Sequence, residues 1–361
     1  MTFANDFLPF SIGVGANVDT QVSWATDPAV NVGFGSGVAK SLKFNKAFRQ
    51  AIFPGSGLSQ FIANRGTADV LDDGNINGYV TNLESALKGW AYAGPTPVAR
   101  IRLTTPTTFY VGGTGANDSN PGTIALPWAT LQHAAFVVNS TYDTGGLDIT
   151  YLCQGAFTQG IALNAPQVGG GNVTFVFAAG SSITTTNAPC INVNFGAQIT
   201  ISGPVVLSAT GATGYGAGCG LIAGNGGFAV VGDQVTFGAC DFAHTYGNVL
   251  FIGPTYRITG SSPAHMYANL SVTAQYVPAT FGGIVAVTLV GTPAFSLGFA
   301  FASTQGLIIA PPGSVSFTGA ATGIRFRAQA GGGINTGGQG FTLFPGSVGG
   351  TADGATFGFY I

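Results

Sequence analysis

The chain has 361 residues, of which 58 are glycine, 46% are apolar and only 7% are charged, against about 25% in an ordinary soluble domain. Scarce charge with ample apolar content excludes a disordered chain, and a formal net charge of −2 without a basic stripe excludes a nucleic-acid-binding face. No apolar run reaches about 18 residues without Gly, Pro or polar interruption, so no membrane insertion is expected, and no basic patch with an apolar core at the N-terminus signals secretion.

Charge is unevenly spread. Residues 1–102 carry eight Lys/Arg and seven Asp/Glu, whereas 103–361 carry three and six. The shift sets a domain boundary near Arg102, beside a Pro/Thr-rich stretch that includes Pro95, Pro97 and Pro106. Residues 1–37 read as loops and short strands. Ser41 is placed to cap a helix through Gln50, 58–64 forms a second short helix, and 77–90 forms a third with Val80, Leu83, Leu87 and Trp90 on one face. Together they predict a small α+β domain over 1–102. Asp69, Asp72 and Asp73 suggest a calcium loop, but the EF-hand pattern fails at Leu71 and Val80, which leaves a turn with capping acids.

Residues 103–147 read as a linker and a cap. Phe109, Tyr110 and Val111 make a short strand, and a loop of turn formers from Gly112 to Gly122 follows. Pro127 suits the first turn of a helix, with Trp128, Leu131, Ala134, Ala135 and Val138 on one face. Such a cap would cover the unpaired strand edge of a stack of coils.

Beyond it, over 148–361, a loose repeat of short β runs and glycine turns recurs. The turn glycines Gly203, Gly232 and Gly253 lie 29 and 21 residues apart. Irregular periods of 20 to 30 residues fit a right-handed parallel β-helix with loops of varying length. Eight to ten coils fit, with Ile149, Val173, Phe175, Ile199, Ile201, Val230, Phe251 and Ile284 facing inward.

These stretches resemble a known family. The tyrosine-containing strand, the Gly/Asn/Asp loop, Gly122-Thr123 and then Pro127-Trp128-x-Thr130-Leu131-Gln132-x-Ala134 resemble the opening of the parallel β-helix in phage tailspikes and tail fibres, and in some pectate-lyase-like proteins. Residues 45–50 with 69–74 are similar to N-terminal segments of phage and prophage tail proteins. Gly333 to Gly337, Phe344 to Gly346 and Gly349 to Thr351 are similar to the C-terminal turns of such fibres. The resemblance implies a virion component of the phage tail, an intertwined or side-by-side homotrimer. It would be joined to tail, portal or adaptor proteins through residues 1–102 and would adhere to host-surface polysaccharide.

Nine charges over 103–361 are few for a solenoid surface. Either Ser, Thr, Asn and Gln keep it wet, or a face is buried against copies of itself, with the run 295–302 lying between chains. The cysteines Cys153, Cys190, Cys219 and Cys240 form no Cys-x-x-Cys pair and read as small apolar core residues, with disulfides as the alternative, and no metal or cofactor is expected.

Polysaccharide-cutting spikes need two carboxyls. The chain has one glutamate, Glu84, in its first domain. The only pair available to the solenoid is Asp233 and Asp241, with His244 nearby and Tyr246 and Tyr256 to stack on a sugar. Against this, Asp233 reads as a turn residue and Asp241 as a loop residue. Arg325 and Arg327 alternate with Ile324 and Phe326 and read as a solvated or intersubunit pair. The reading favours a non-enzymatic structural and adhesive subunit. The alternatives are a depolymerase on the same fold with Asp233 and Asp241 as its acids, and an adaptor carrying a separate receptor-binding protein.

Overall fold

In a computed structural model the chain divides into two compact units, Met1–Ala99 and Arg100–Ile361. The structure describes residues 4–38, 40–65, 68–91, 100–211, 216–278 and 283–361.

The first unit contains helices α1 (Gln21–Ala25), α2 (Ala29–Val32), α3 (Ser41–Arg65) and α4 (Ile76–Ala91). The anticipated strands reduce, among the described residues, to one parallel bridge between Asn5 and Val70. The two short helices expected around 41–50 and 58–64 are one helix, α3, which runs through Pro54. An interior proline costs about 3 kcal/mol. Here Ser56, Ser59, Ile62 and Ala63 are buried beyond it, and Ser59 Oγ donates to the Gly55 carbonyl at 2.9 Å, so packing outweighs the local cost. α4 has the expected extent, but Tyr79, Leu83 and Ala86 turn inward instead of Val80 and Leu87, which are exposed. The Trp90 side chain lies outside the described residues. Asp69 accepts from the Ala4 N–H at 2.7 Å and Asp73 from the Asn75 N–H at 2.9 Å, so both act as turn acceptors.

The second unit is mainly β. Most of its strands fall into parallel sheets of ten, seven and eight strands, beside two two-stranded pairings, and the chain visits the three large sheets in turn before returning to the first. Each strand pairs with its counterpart one circuit further along, as Ile149 does with Val173 and Val249 with Ala274. Stacked coils of this kind are compatible with a β-helix solenoid. Coil length varies: Ala229 pairs with Val249, whereas Ala274 pairs with Ile308. Ten strands in one sheet give a stack of roughly 43 Å.

The stack starts earlier than residue 148. Thr107–Gly112 pairs along its whole length with Ile149–Gln154 and is the first rung. Helix α5 (Leu131–Thr141) follows, burying Leu131, Ala134, Ala135 and Val138 as anticipated. It begins later than Pro127, because Thr130 is extended and its hydroxyl caps the His133 N–H at 3.2 Å. Trp128 is buried but not helical; it bridges Val111 and stacks on Phe109 at 5.1 Å.

Side chains alternate in and out along the rungs. Ile149, Val173, Phe175, Ile199, Ile201 and Phe251 are buried as expected, but Val230 and Ile284 face outward while Val231 and Val285 fill the core. A slip of one residue moves a side chain to the other face, and sequence alone did not fix the register at these two turns. The turn glycines do stack: a Cβ on Gly253 would sit 2.1 Å from the Gly232 carbonyl carbon. The run 295–302 does not wait for another chain. Phe295 and Phe299 are fully buried and pack edge-on at 5.1 Å, and Phe301 covers Tyr267 at 4.5 Å.

Candidate functional site

The two candidate acids are not brought together. Asp233 sits in the turn before the strand Val235–Cys240, and Asp241 follows that strand. Six residues of extended chain separate them by roughly 20 Å, well beyond the 5–9.5 Å or so of a glycosidase pair. Asp233 Oδ1 accepts from the Thr255 N–H at 3.1 Å and the Thr255 hydroxyl at 2.6 Å, and Asp241 Oδ2 accepts from the Gly211 N–H at 2.6 Å. Both carboxylates therefore stitch one coil to the next. Tyr246 and Tyr256, anticipated as sugar platforms, are buried, as is His244.

The core holds a polar chain that sequence reasoning missed. His244 Nδ1 lies 3.1 Å from His265 Nδ1, His265 Nε2 lies 2.7 Å from the Tyr256 hydroxyl, and that hydroxyl lies 2.8 Å from Tyr276 Oη. Two facing Nδ1 atoms need one proton between them. The arrangement that uses most donors has Tyr276 donating to Tyr256, Tyr256 to His265 Nε2, and His265 Nδ1–H to His244. His244 Nε2 then carries a proton. It makes no hydrogen bond among the described residues, although the Gly238 and Gly260 carbonyls lie close enough to the ring to favour its charged form. Burial dominates: it lowers the His244 pKa to about 3, and burial together with His244 pushes His265 well below the usual range. Burial likewise raises both tyrosines. These rings are neutral and closed off from any substrate. The signal was present in the spacing, since 244 to 265 is the same interval as Gly232 to Gly253.

The accessible candidate site is a cleft of about 380 Å³ at the first rungs. Its floor is the outward row Tyr110, Leu152 and Val176, which pair in register, with Gln154 beside them. Its wall is the glycine-rich loop, through Gly112, Gly113, Thr114, Ile124 and Pro127. Asp118 fixes that loop by accepting from the Ala129 N–H at 2.8 Å, the Thr130 N–H at 2.9 Å and the Thr130 hydroxyl at 2.8 Å. Burial works to raise the Asp118 pKa, but the bonds from Thr130 and Ala129 outweigh it and hold the carboxyl below its ordinary value. Trp128 Nε1 donates to the Asn120 carbonyl at 2.7 Å. Next to the floor, Thr108, Thr150, Thr174 and Thr200 stand in one row. Aromatic and aliphatic surface beside an amide and hydroxyls suits a neutral polar ligand and supplies no acid, base or nucleophile of perturbed reactivity.

Among the described residues no three His, Cys, Asp or Glu side chains gather to hold a metal ion. All four cysteines are buried and unpaired. Burial pushes the Cys190 thiol up to about 11 and Cys219 to about 12, so neither is a nucleophile near neutral pH. Arg325 is not part of a solvated pair: its Nη1 donates to the Phe344 carbonyl at 2.8 Å and the Thr342 carbonyl at 3.3 Å, holding the C-terminal turn. Arg327 stands on the outward row of the eight-stranded sheet, between Phe301 and Thr351. No family model, curated protein or solved structure matches this chain.

Proposed function

We propose that this protein is a structural and adhesive subunit of a bacteriophage tail, a fibre or spike whose body is a right-handed parallel β-helix assembled as a side-by-side homotrimer. Residues 1–102 attach it to the tail, and the cleft at Tyr110, Leu152 and Gln154 holds host-surface polysaccharide. The observation that carries the reading is the capped stack itself, whose first rung and α5 are built from the segment with the fibre-like Pro127-Trp128-x-Thr130-Leu131-Gln132 motif. A long, sparsely charged stack suits a rigid spacer. The depolymerase alternative loses its residues, because Asp233 and Asp241 sit at opposite ends of one strand.

Two experiments test the proposal. Antibodies against residues 1–99 should label phage particles at the tail; particles without label would overturn the assignment. Purified protein should adhere to host-surface polysaccharide and leave its chain length unchanged. Shortened polysaccharide would restore the enzyme reading.

A further inference from the structure

We infer that the first unit binds a small ligand with a doubly charged oxyanion head, of the phosphate-monoester kind, on an apolar body. The site is a cleft of about 410 Å³ on one face of α3, lined also by Gln21 of α1 and by Ile12. The inference goes beyond the fibre reading and does not depend on it.

The cleft is built on a helical stripe. Lys46, Arg49, Gln50 and Phe53 follow the i, i+3, i+4, i+7 spacing that puts side chains on one face. Where such a face is buried it is ordinarily apolar. Here its most buried member is Lys46, only 3% exposed. A buried ammonium is ordinarily paired with a carboxylate or hydrogen-bonded. Lys46 makes neither contact among the described residues. The one ion pair among them joins Lys43 to Asp27. Asp19, beside α1, instead accepts from the Thr20 N–H at 2.9 Å and the Ser23 hydroxyl at 3.1 Å.

The rest of the lining supplies donors and uses up acceptors. Arg49 Nη1 makes a single long bond, 3.4 Å, to the Ser11 carbonyl. Gln50 Oε1 accepts from Trp24 Nε1 at 2.8 Å, and Gln21 Oε1 accepts from Gln50 Nε2 at 3.4 Å. With both amide oxygens engaged, the cleft offers the Gln21 amide N–H groups, the Arg49 guanidinium and the Lys46 ammonium. No Asp or Glu lines it.

Two positive charges with no acid to balance them call for a dianion with several acceptor oxygens, and a guanidinium fork can grip two of these at once. A phosphate monoester carries that charge near neutral pH and has three such oxygens. Ile12, Phe53 and Pro54 add apolar wall beside the cations, and Ile12 and Phe53 are more than half exposed. A flat apolar body behind the oxyanion would cover them. The volume lies in the range of small-molecule sites, about 300–1,000 Å³.

The test is isothermal titration calorimetry of the full chain at neutral pH and low salt, with phenyl phosphate, inorganic phosphate and benzoate as probes. Phenyl phosphate should bind at one site per chain. It should bind more tightly than inorganic phosphate, which lacks the ring, and than benzoate, which lacks the second charge. Lys46→Met keeps the stem and removes the charge. It should weaken phenyl phosphate roughly 10- to 100-fold and raise the melting temperature of the ligand-free protein, because an unpaired buried charge is gone. Arg49→Gln, at a half-buried position, should weaken binding by a similar factor. Arg257→Gln, which removes an exposed cation from the second unit, should leave it unchanged. No heat with phenyl phosphate at millimolar concentration, or binding that survives both Lys46→Met and Arg49→Gln, would overturn the site. Benzoate bound as tightly as phenyl phosphate would overturn the doubly charged head, and inorganic phosphate bound as tightly would overturn the apolar body. Should Lys46→Met fold poorly, Arg49→Gln decides. None of these outcomes bears on attachment to a tail.

Discussion

His244 and His265 meet Nδ1 to Nδ1 at 3.1 Å across a single coil, inside a core of aromatic, aliphatic and sulfur-bearing side chains. The pair is kept neutral by burial, with Tyr256 and Tyr276 as the titratable groups that face it. Its folded pKa values lie below the unfolded value of about 6.5. The unfolded chain therefore takes up protons that the folded chain refuses. Stability is complete above about pH 6.5 and declines as pH falls toward the folded values, by up to about 2.7 kcal/mol per pH unit for two histidines. Urea midpoints from pH 7 to pH 4.5 should fall accordingly, and His244→Phe should flatten the slope by about half. A midpoint that stays constant over this range would contradict the buried pair.

The cap depends on Asp118. Asp118→Ala removes the acceptor for the Ala129 and Thr130 N–H groups and should cost about 1–3 kcal/mol. Hydrogen exchange should accelerate in α5, while Asp118→Asn, which keeps one acceptor oxygen, should recover part of the loss. Exchange unchanged in the alanine variant would show that the loop is held by other contacts.

Asp233 is expected to behave as a stitch. Asp233→Ala leaves the Thr255 N–H and hydroxyl without their shared acceptor and should lower stability by about 1 kcal/mol. Thermal melting of the variant measures this, and a melting curve identical to the unmodified protein would refute the role.

Stacked turns leave no room for side chains. Gly253→Ala would place a carbon 2.1 Å from the Gly232 backbone and should destabilise by about 3 kcal/mol or lead to misfolding. Soluble yield and melting temperature report the effect.

Tyr110 is the aromatic in the cleft floor. Tyr110→Ala should weaken polysaccharide adhesion about 3- to 10-fold, the loss of one stacking contact, with circular dichroism unchanged. Adhesion at full strength would move the binding surface elsewhere.

Much of the stack is legible in the sequence. The rung Phe109, Tyr110 and Val111, the α5 face from Leu131 to Val138 and the turn glycines Gly232 and Gly253 all follow from local patterning and turn chemistry. What stacks on what could not be read, because coils differ in length between Ala229–Val249 and Ala274–Ile308. Cross-coil pairs such as His244 with His265 and Asp233 with Thr255 exist only once those lengths are known. The facing of Val230 and Ile284 turns on a one-residue slip that local patterning does not set. Continuity of α3 through Pro54 came from packing beyond the proline, which local propensity does not register. Phe195 and Leu270 in left-handed corners run against the rule that assigns such corners to Gly or Asn.

Electron cryomicroscopy of the purified full chain addresses the proposed assembly of sparsely charged stacks directly. The expected density is three parallel rods of roughly 43 Å packed side by side. Isolated single rods would contradict it.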